Sequence, residues 1–258
     1  MLERRAELRG SQATQRRAVL AFALSACLHA GVASADWTGK GEVGAAVTSG
    51  NTATQAANAK IEAVNTLDNW KHLLGLAGNY VSDETGTTGQ RWEAREQSDY
   101  SYSERTFWFG GGRYEADRFS GFEHQASLTT GLGHRFIDSA TTKLTGQIGA
   151  GYKFTETRDV IDAGGLVLFP GETDGTAIFT AGVDYEQQLT ATTKVLDRFL
   201  METGGDNTYL QNELSLQVRM TEVLALAVGY TVRHNTDPTA GFEKTDTLTT
   251  LNLVYEVN

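Results

Sequence analysis

Residues 209–220 alternate without a break. Leu210, Asn212, Leu214, Leu216, Val218 and Met220 fall on one side of an extended chain, and Tyr209, Gln211, Glu213, Ser215, Gln217 and Arg219 on the other. Period two is the spacing of a β-strand, whose successive side chains point to opposite faces. The dyad returns in Leu224, Leu226, Val228, Tyr230 and Val232 against Ala225, Ala227, Gly229, Thr231 and Arg233. It returns again in Leu144, Ile148, Tyr152 and Phe154 against Thr145, Gln147, Gly149, Gly151 and Lys153, and in Leu251, Leu253, Tyr255 and Val257. No stretch after residue 35 approaches the roughly 18 apolar residues of a spanning helix. A chain of this kind must satisfy its backbone by pairing strands.

Twelve strands are expected, near 37–48, 53–66, 70–82, 91–103, 105–117, 124–136, 143–156, 176–188, 194–203, 208–220, 222–235 and 242–257. The links fall into two kinds, short ones such as Ser49-Gly50-Asn51, Asp68-Asn69 and Gly204 to Asn207 and longer ones at Asp83 to Gly89, Arg118 to Glu123 and Arg158 to Gly175. The pattern is imperfect, since 204–207 and 221 are both short although they fall on opposite rims. The 28 Gly and 2 Pro suit strands and tight turns, because Pro removes ladder donors. An even strand count with short turns on one rim and longer loops on the other fits a bacterial outer-membrane barrel.

Alternation also describes a soluble sandwich, and two features decide between them. The face opposite the apolar one is often too small for solvent display, as at Gly131, Gly133, Gly149, Gly151, Ala225, Ala227 and Gly229, which suits a curved inner wall. Aromatic residues gather near strand ends, among them Trp37, Trp70, Tyr80, Trp92, Tyr100, Trp108, Tyr114, Phe136, Phe154, Tyr185, Tyr209 and Tyr255, as interfacial girdles require. The fold class expected is all-β, a single antiparallel transmembrane barrel.

The first 35 residues differ from the rest. Arg4, Arg5, Arg9, Arg16 and Arg17 precede the apolar run Ala18 to Val32, and Ala33-Ser34-Ala35 fits a signal-peptidase site, with cleavage before Asp36. The domains expected are a secretory signal over 1–35 and a barrel over 36–258. Leu24-Ser25-Ala26-Cys27 competes as a lipoprotein box that would leave Cys27 acylated. The lone Cys27 excludes an intramolecular disulfide. The whole chain has 22 Lys and Arg against 32 Asp and Glu; residues 1–35 hold five and two, leaving 17 against 30, a net charge of −13. Phosphate binding needs clustered basic residues, so nucleic acid is excluded as a partner.

Three spaced motifs carry a family resemblance. Trp37-Thr-Gly-Lys-Gly-Glu-Val-Gly44 with Thr48-Ser-Gly-Asn-Thr52 opens the barrel region. Arg113-Tyr-Glu-Ala-Asp-Arg-Phe-Ser-Gly121, Gln125 and Gly131-Leu-Gly-His-Arg-Phe136 stand in the middle. Asn235 to Pro238, Lys244, Asp246 and Asn252-Leu-Val-Tyr255 close it. Together these resemble the salt-induced outer-membrane protein family, a YdiY-like domain of unknown function, over essentially all of 36–258. The resemblance implies an outer-membrane location and a barrel, with outer-membrane lipid and the barrel-assembly machinery as partners; it implies no reaction, ligand or catalytic residue. A response to salt rests on the family's name alone. One departure is the polar end Tyr255-Glu-Val-Asn258, where such barrels commonly finish on an aromatic residue.

The densest polar constellation is Arg113, Glu115 and Asp117, which spacing of two puts on one face, with Tyr114 and Gly112 on the other. Arg91, Glu93 and Arg95 share that parity on the preceding strand and can form a cross-strand network in the lumen. Such a network is either a selectivity-setting constriction for ions or small solutes or, the favoured reading, a brace for the wall. Ser49-Gly50-Asn51-Thr52 fits a hairpin turn better than a ligand loop. Asp159, Asp162, Glu172 and Asp174 gather in the 158–175 loop around an apolar centre, without the spacing of a known cation loop; that centre could fold against the mouth as a plug or meet a partner.

No cofactor or metal is implied. A lipid-acting barrel enzyme needs a Ser or an acid beside a His on one face. His72, His124, His134 and His234 are scattered, and His124 and Ser127 point to opposite sides. The expectation is therefore a barrel without catalysis, a passive pore or envelope-stabilising protein. A loop-mediated binding barrel and a lipid-modifying enzyme stand as alternatives, the latter to be favoured by a Ser and His within hydrogen-bond reach.

Overall fold

The computed structural model describes residues 37–48, 54–161, 164, 166–238 and 242–257. The expected signal with Cys27, the Ser49-Gly50-Asn51-Thr52 turn, Asp162 and Asn258 lie outside the described residues.

Fourteen strands are described: β1 (Trp37–Thr48), β2 (Thr54–Leu67), β3 (Trp70–Asp83), β4 (Gly86–Ser101), β5 (Thr106–Asp117), β6 (Phe122–Asp138), β7 (Thr142–Thr157), β8 (Val160–Ile161), β9 (Val167–Phe169), β10 (Thr173–Gln188), β11 (Thr193–Gly204), β12 (Asn207–Arg219), β13 (Leu224–Asn235) and β14 (Thr245–Val257). Twelve of them close into an antiparallel barrel, each hydrogen-bonded to its sequence neighbours, with β7 meeting β10 and β1 meeting β14. Closure leaves no free edge, the condition for strands in a bilayer. Strands β8 and β9 form a small separate hairpin.

The twelve expected strands are all present, with two differences between them. The segment Asp83 to Gly89 is not a long loop. Strand β4 begins at Gly86, whose φ of 132° permits a tight turn, and Asp83 Oδ1 accepts hydrogen bonds from Thr85 N at 2.7 Å and Thr85 Oγ1 at 2.6 Å. A register shift between Val81 and Ser82 absorbs the odd residue and sets Gly89 against Val81. In the 158–175 loop the apolar centre makes the β8–β9 hairpin rather than a plug, and Leu166, Val167 and Leu168 stand exposed.

The two faces separate cleanly. Most outward residues are apolar and open: Leu128 is 61 % exposed, Leu251 63 % and Ile148 59 %. A wall whose largest apolar side chains are its most exposed fits hydrocarbon, not water. Trp37, Trp70, Tyr100, Trp108, Phe136 and Tyr255 ring the end of the barrel that carries β1's start and β14's end; Tyr80, Trp92, Tyr114, Tyr152, Phe154 and Tyr230 mark the other half. Tyr209 is not part of either girdle: it shares the parity of Gln211 and faces the lumen, where the Arg113 guanidinium lies 5.1 Å from its ring centre.

Inside, the wall is largely polar or small, but apolar side chains enter it, among them Ile178 on β10, Leu196 and Leu200 on β11 and Val254 on β14. Phe107 and Phe109 turn inward and are buried. They fit because Gly133 and Gly149 have no Cβ: one added at Gly133 would collide with the Phe107 ring, and one at Gly149 would lie 2.9 Å from Phe109 Cζ. Aromatic side chains thus fill the space those glycines leave.

Candidate functional site in the lumen

Charged side chains of inward parity meet in two tiers. The tier farther from the chain ends begins with Arg91 on β4. Its Nε lies 2.7 Å from Glu115 Oε1, and its Nη2 2.8 Å from Glu93 Oε2. Arg113 on β5 pairs with Glu115 and, through Nε at 3.2 Å, with Glu93. The same guanidinium reaches Glu202 on β11 at 3.6 Å, and Lys153 on β7 holds that carboxylate at 2.6 Å. Tyr209 on β12 presents its ring to both cations, 5.1 Å from Arg113 and 5.3 Å from Lys153. Ser127 Oγ on β6 donates to Glu202 at 3.5 Å.

The second tier is nearer the chain ends. Glu62 on β2 pairs with Arg95 on β4, with Arg198 on β11 at 3.2 Å, and with Lys60 at 3.9 Å. Arg198 also holds Asp184 on β10 at 2.8 Å, and Lys60 holds Glu213 on β12 at 3.1 Å. Beside it, Gln97 on β4 donates to Gln147 on β7 at 3.2 Å. Arg113–Glu202, Arg198–Glu62 and Lys60–Glu213 all join strands that are not neighbours in the wall. They therefore cross the lumen. A cavity of about 550 Å³ remains, lined by residues of both tiers.

Of the six residues grouped from the sequence, Arg91, Glu93, Arg113 and Glu115 come together. Arg95 belongs to the second tier. Asp117 leaves the network for the turn after β5: its Oδ1 accepts from Phe119 N at 2.8 Å, and its carbonyl accepts from Arg158 Nη2 at 2.6 Å. Sequence reasoning missed Glu62, Lys153, Arg198 and Glu202. Each carries the inward parity of its strand, which was the available signal. Which of them meet depends on closure across a gap that parity does not describe.

The four histidines among the described residues lie on the outward face. His124 pairs with Glu156 at 3.1 Å. His134 Nδ1 lies 3.0 Å from Thr106 Oγ1, and His234 Nδ1 2.8 Å from Thr245 Oγ1. His72 Nδ1 lies 2.7 Å from Ser98 Oγ, a contact not anticipated because the two sit on different strands. Among the described residues, no three His, Cys, Asp or Glu gather as a metal site requires.

A closed antiparallel wall, greasy outside, girdled by aromatic rings and charged within, defines a transmembrane β-barrel of the outer-membrane type. The chain belongs to the family described as "Protein of unknown function, DUF481", whose model matches residues 41–257. It is 25% identical over 186 residues to the "Uncharacterized protein YdiY" of Escherichia coli (strain K12), an alignment covering 72% of this chain and 69% of that protein. In fold it is similar to an outer membrane channel from Pseudomonas putida F1, with a TM-score of 0.51 and 8% identity over 88% of this chain and 97% of that one. The translocator domain of autotransporter NalP from Neisseria meningitidis is also similar, with a TM-score of 0.48 and 13% identity over 96% of this chain and 97% of that one.

Proposed function

We propose that the protein resides in the bacterial outer membrane and forms a narrow, passive pore for small ions or polar solutes. The observation that carries this reading is the pair of ion-pair tiers crossing the lumen around a cavity of about 550 Å³. Opposite charges set face to face across a water-filled bore narrow it without sealing it by apolar packing, and they present ligands of both signs to a passing solute. The lumen work is passage and not chemistry: the described lumen carboxylates of the two tiers are held by Arg and Lys. The acidic excess beyond residue 35 favours cations. Tight turns lie at the end that carries the chain ends, and the longest loop, between β7 and β10, lies at the other, which orients the first end toward the periplasm.

Planar-bilayer recording tests this. Wild-type protein is expected to give small, cation-selective steps. Opening both tiers with Glu202→Gln and Arg198→Gln is expected to enlarge them by roughly twofold or more, since charged rings at a constriction set its conductance. Folded protein that is silent in both forms contradicts the pore. A wild type that is silent while the double variant conducts would instead make the tiers a brace, and the protein an envelope-stabilising barrel.

A further inference from the structure

The outward wall of β3 and β4 holds a polar row inside the apolar belt. Parity fixes its direction: Trp70 and Leu76 on β3, and Trp92 and Tyr100 on β4, are exposed, so His72, Glu96 and Ser98 face the same way. Ser98 Oγ donates to Glu96 Oε1 at 2.5 Å, and His72 Nδ1 lies 2.7 Å from Ser98 Oγ. Register places Asn65 of β2 directly beside His72. Asn65 is 5 % exposed, and its amide nitrogen is buried without a hydrogen-bond partner. An ionisable residue facing hydrocarbon is costly and marks a functional site by default. A buried donor left unpaired adds to that cost.

Depth singles out the ligand. His72 stacks on Trp70, with ring centres 5.8 Å apart, and Trp70 packs against Tyr100 at 5.0 Å. Those rings belong at the headgroup boundary. Ser98 lies two residues inside Tyr100, about 6–7 Å along the strand. That is the depth of the glycerol esters of a phospholipid. The other outward histidine–hydroxyl pairs, His134–Thr106 and His234–Thr245, have no carboxylate hydrogen-bonded to the hydroxyl among the described residues.

We propose that Ser98, Glu96 and His72 form a lipid-facing acyl-ester site, in which Ser98 attacks the ester of a membrane phospholipid. Ser98 Oγ bonds to the acyl carbon while its proton passes to Glu96, already its acceptor. The ester C–O bond breaks, the electron pair stays on the glycerol oxygen, and Glu96 returns the proton there, releasing lysophospholipid. Water from the headgroup layer then attacks the acyl-serine, giving up its proton through Glu96 to Ser98 Oγ, and fatty acid leaves. Ser98 and Glu96 are the catalytic residues. His72 is a positioning residue whose Nδ1–H holds Ser98 Oγ toward the lipid. This site is independent of the lumen and of the pore reading.

The test uses full-length protein in detergent and in phosphatidylethanolamine vesicles. A fluorophosphonate probe is expected to label Ser98, located by peptide mass spectrometry, and the vesicles are expected to accumulate lysophospholipid. Ser98→Ala should abolish both. Glu96→Gln should slow labelling about a hundredfold. His72→Asn, which keeps a donor at the same reach, should retain labelling that His72→Ala loses. Folding of each variant is checked by heat-modifiable gel mobility. Folded wild-type protein that takes up no probe at Ser98, or takes it up equally in Glu96→Gln, overturns the proposal.

Discussion

Arg113 on β5 and Glu202 on β11 meet at 3.6 Å although three strands, β6, β7 and β10, stand between theirs around the wall. The contact is a chord across the lumen, not a rung along it. With Lys153 on the same carboxylate, it ties the walls of β5, β7 and β11 to a single point.

Removing that point should be felt in stability. Glu202→Gln leaves the Arg113 and Lys153 charges facing one another without a shared counter-ion. The expected loss is about 1–3 kcal/mol, the cost of unsatisfied polar groups in partly buried sites. Urea titration of the folded form in micelles measures it. Arg113→Gln added to Glu202→Gln should cost less than the sum of the single changes, because both act on one interaction. Strict additivity would mean the chord carries no coupling.

The aromatic filling of the lumen makes a paired prediction. Gly133→Ala sets a methyl group against the Phe107 ring and should destabilise by about 1–3 kcal/mol, as overpacking does. Phe107→Leu in the same chain should recover part of that loss, because the nearest atoms that a Cβ at Gly133 would strike, Cζ and both Cε, belong to the ring. Gly205, at φ 59° in the β11–β12 turn, lacks such a partner. Gly205→Ala should cost about 1 kcal/mol from backbone strain, with no rescue from Phe107→Leu.

Neighbouring positions on β12 should respond oppositely to charge. Leu214 faces outward near the middle of the strand, and Ser215 lines the lumen cavity. Leu214→Arg should cost about 2–4 kcal/mol for an Arg placed in hydrocarbon. Ser215→Arg should cost much less and should change ion selectivity instead. Equal penalties on folding into vesicles would show that the two faces do not differ as described.

Strand positions were legible because each buries one side only, and a dyad such as Leu210 to Met220 against Tyr209 to Arg219 has a single extended solution. The lumen was half legible. Arg91, Glu93, Arg113 and Glu115 lie on adjacent strands, where spacing of two suffices to predict contact. Glu202, Lys153, Glu62 and Arg198 were not, because their partners are reached through space after closure. Strand β11 also hid its own faces: Leu196 and Leu200 share the inward parity of Arg198 and Glu202, while Asp197 takes the outward parity and accepts from Asn212 at 2.7 Å. Tyr209 was misplaced for a related reason, since position near a strand end suggested a girdle while its parity with Gln211 already pointed inward. The His72–Ser98 contact needed the β3–β4 register, which no single strand contains.

The orientation of alternate side chains is tested most directly by cysteine accessibility at adjacent positions of β14. Cys27, the sole native cysteine, is replaced by Ser, and Thr250→Cys and Leu251→Cys are made singly in protein folded into vesicles. Thr250 lines the lumen cavity and Leu251 is exposed on the outer wall. Thr250→Cys should react with a charged, membrane-impermeant maleimide, whereas Leu251→Cys should not, and a fluorophore attached at 251 before folding should be quenched by brominated acyl chains. A charged reagent that reaches residue 251 while brominated lipid leaves it unquenched would contradict the barrel's inside and outside.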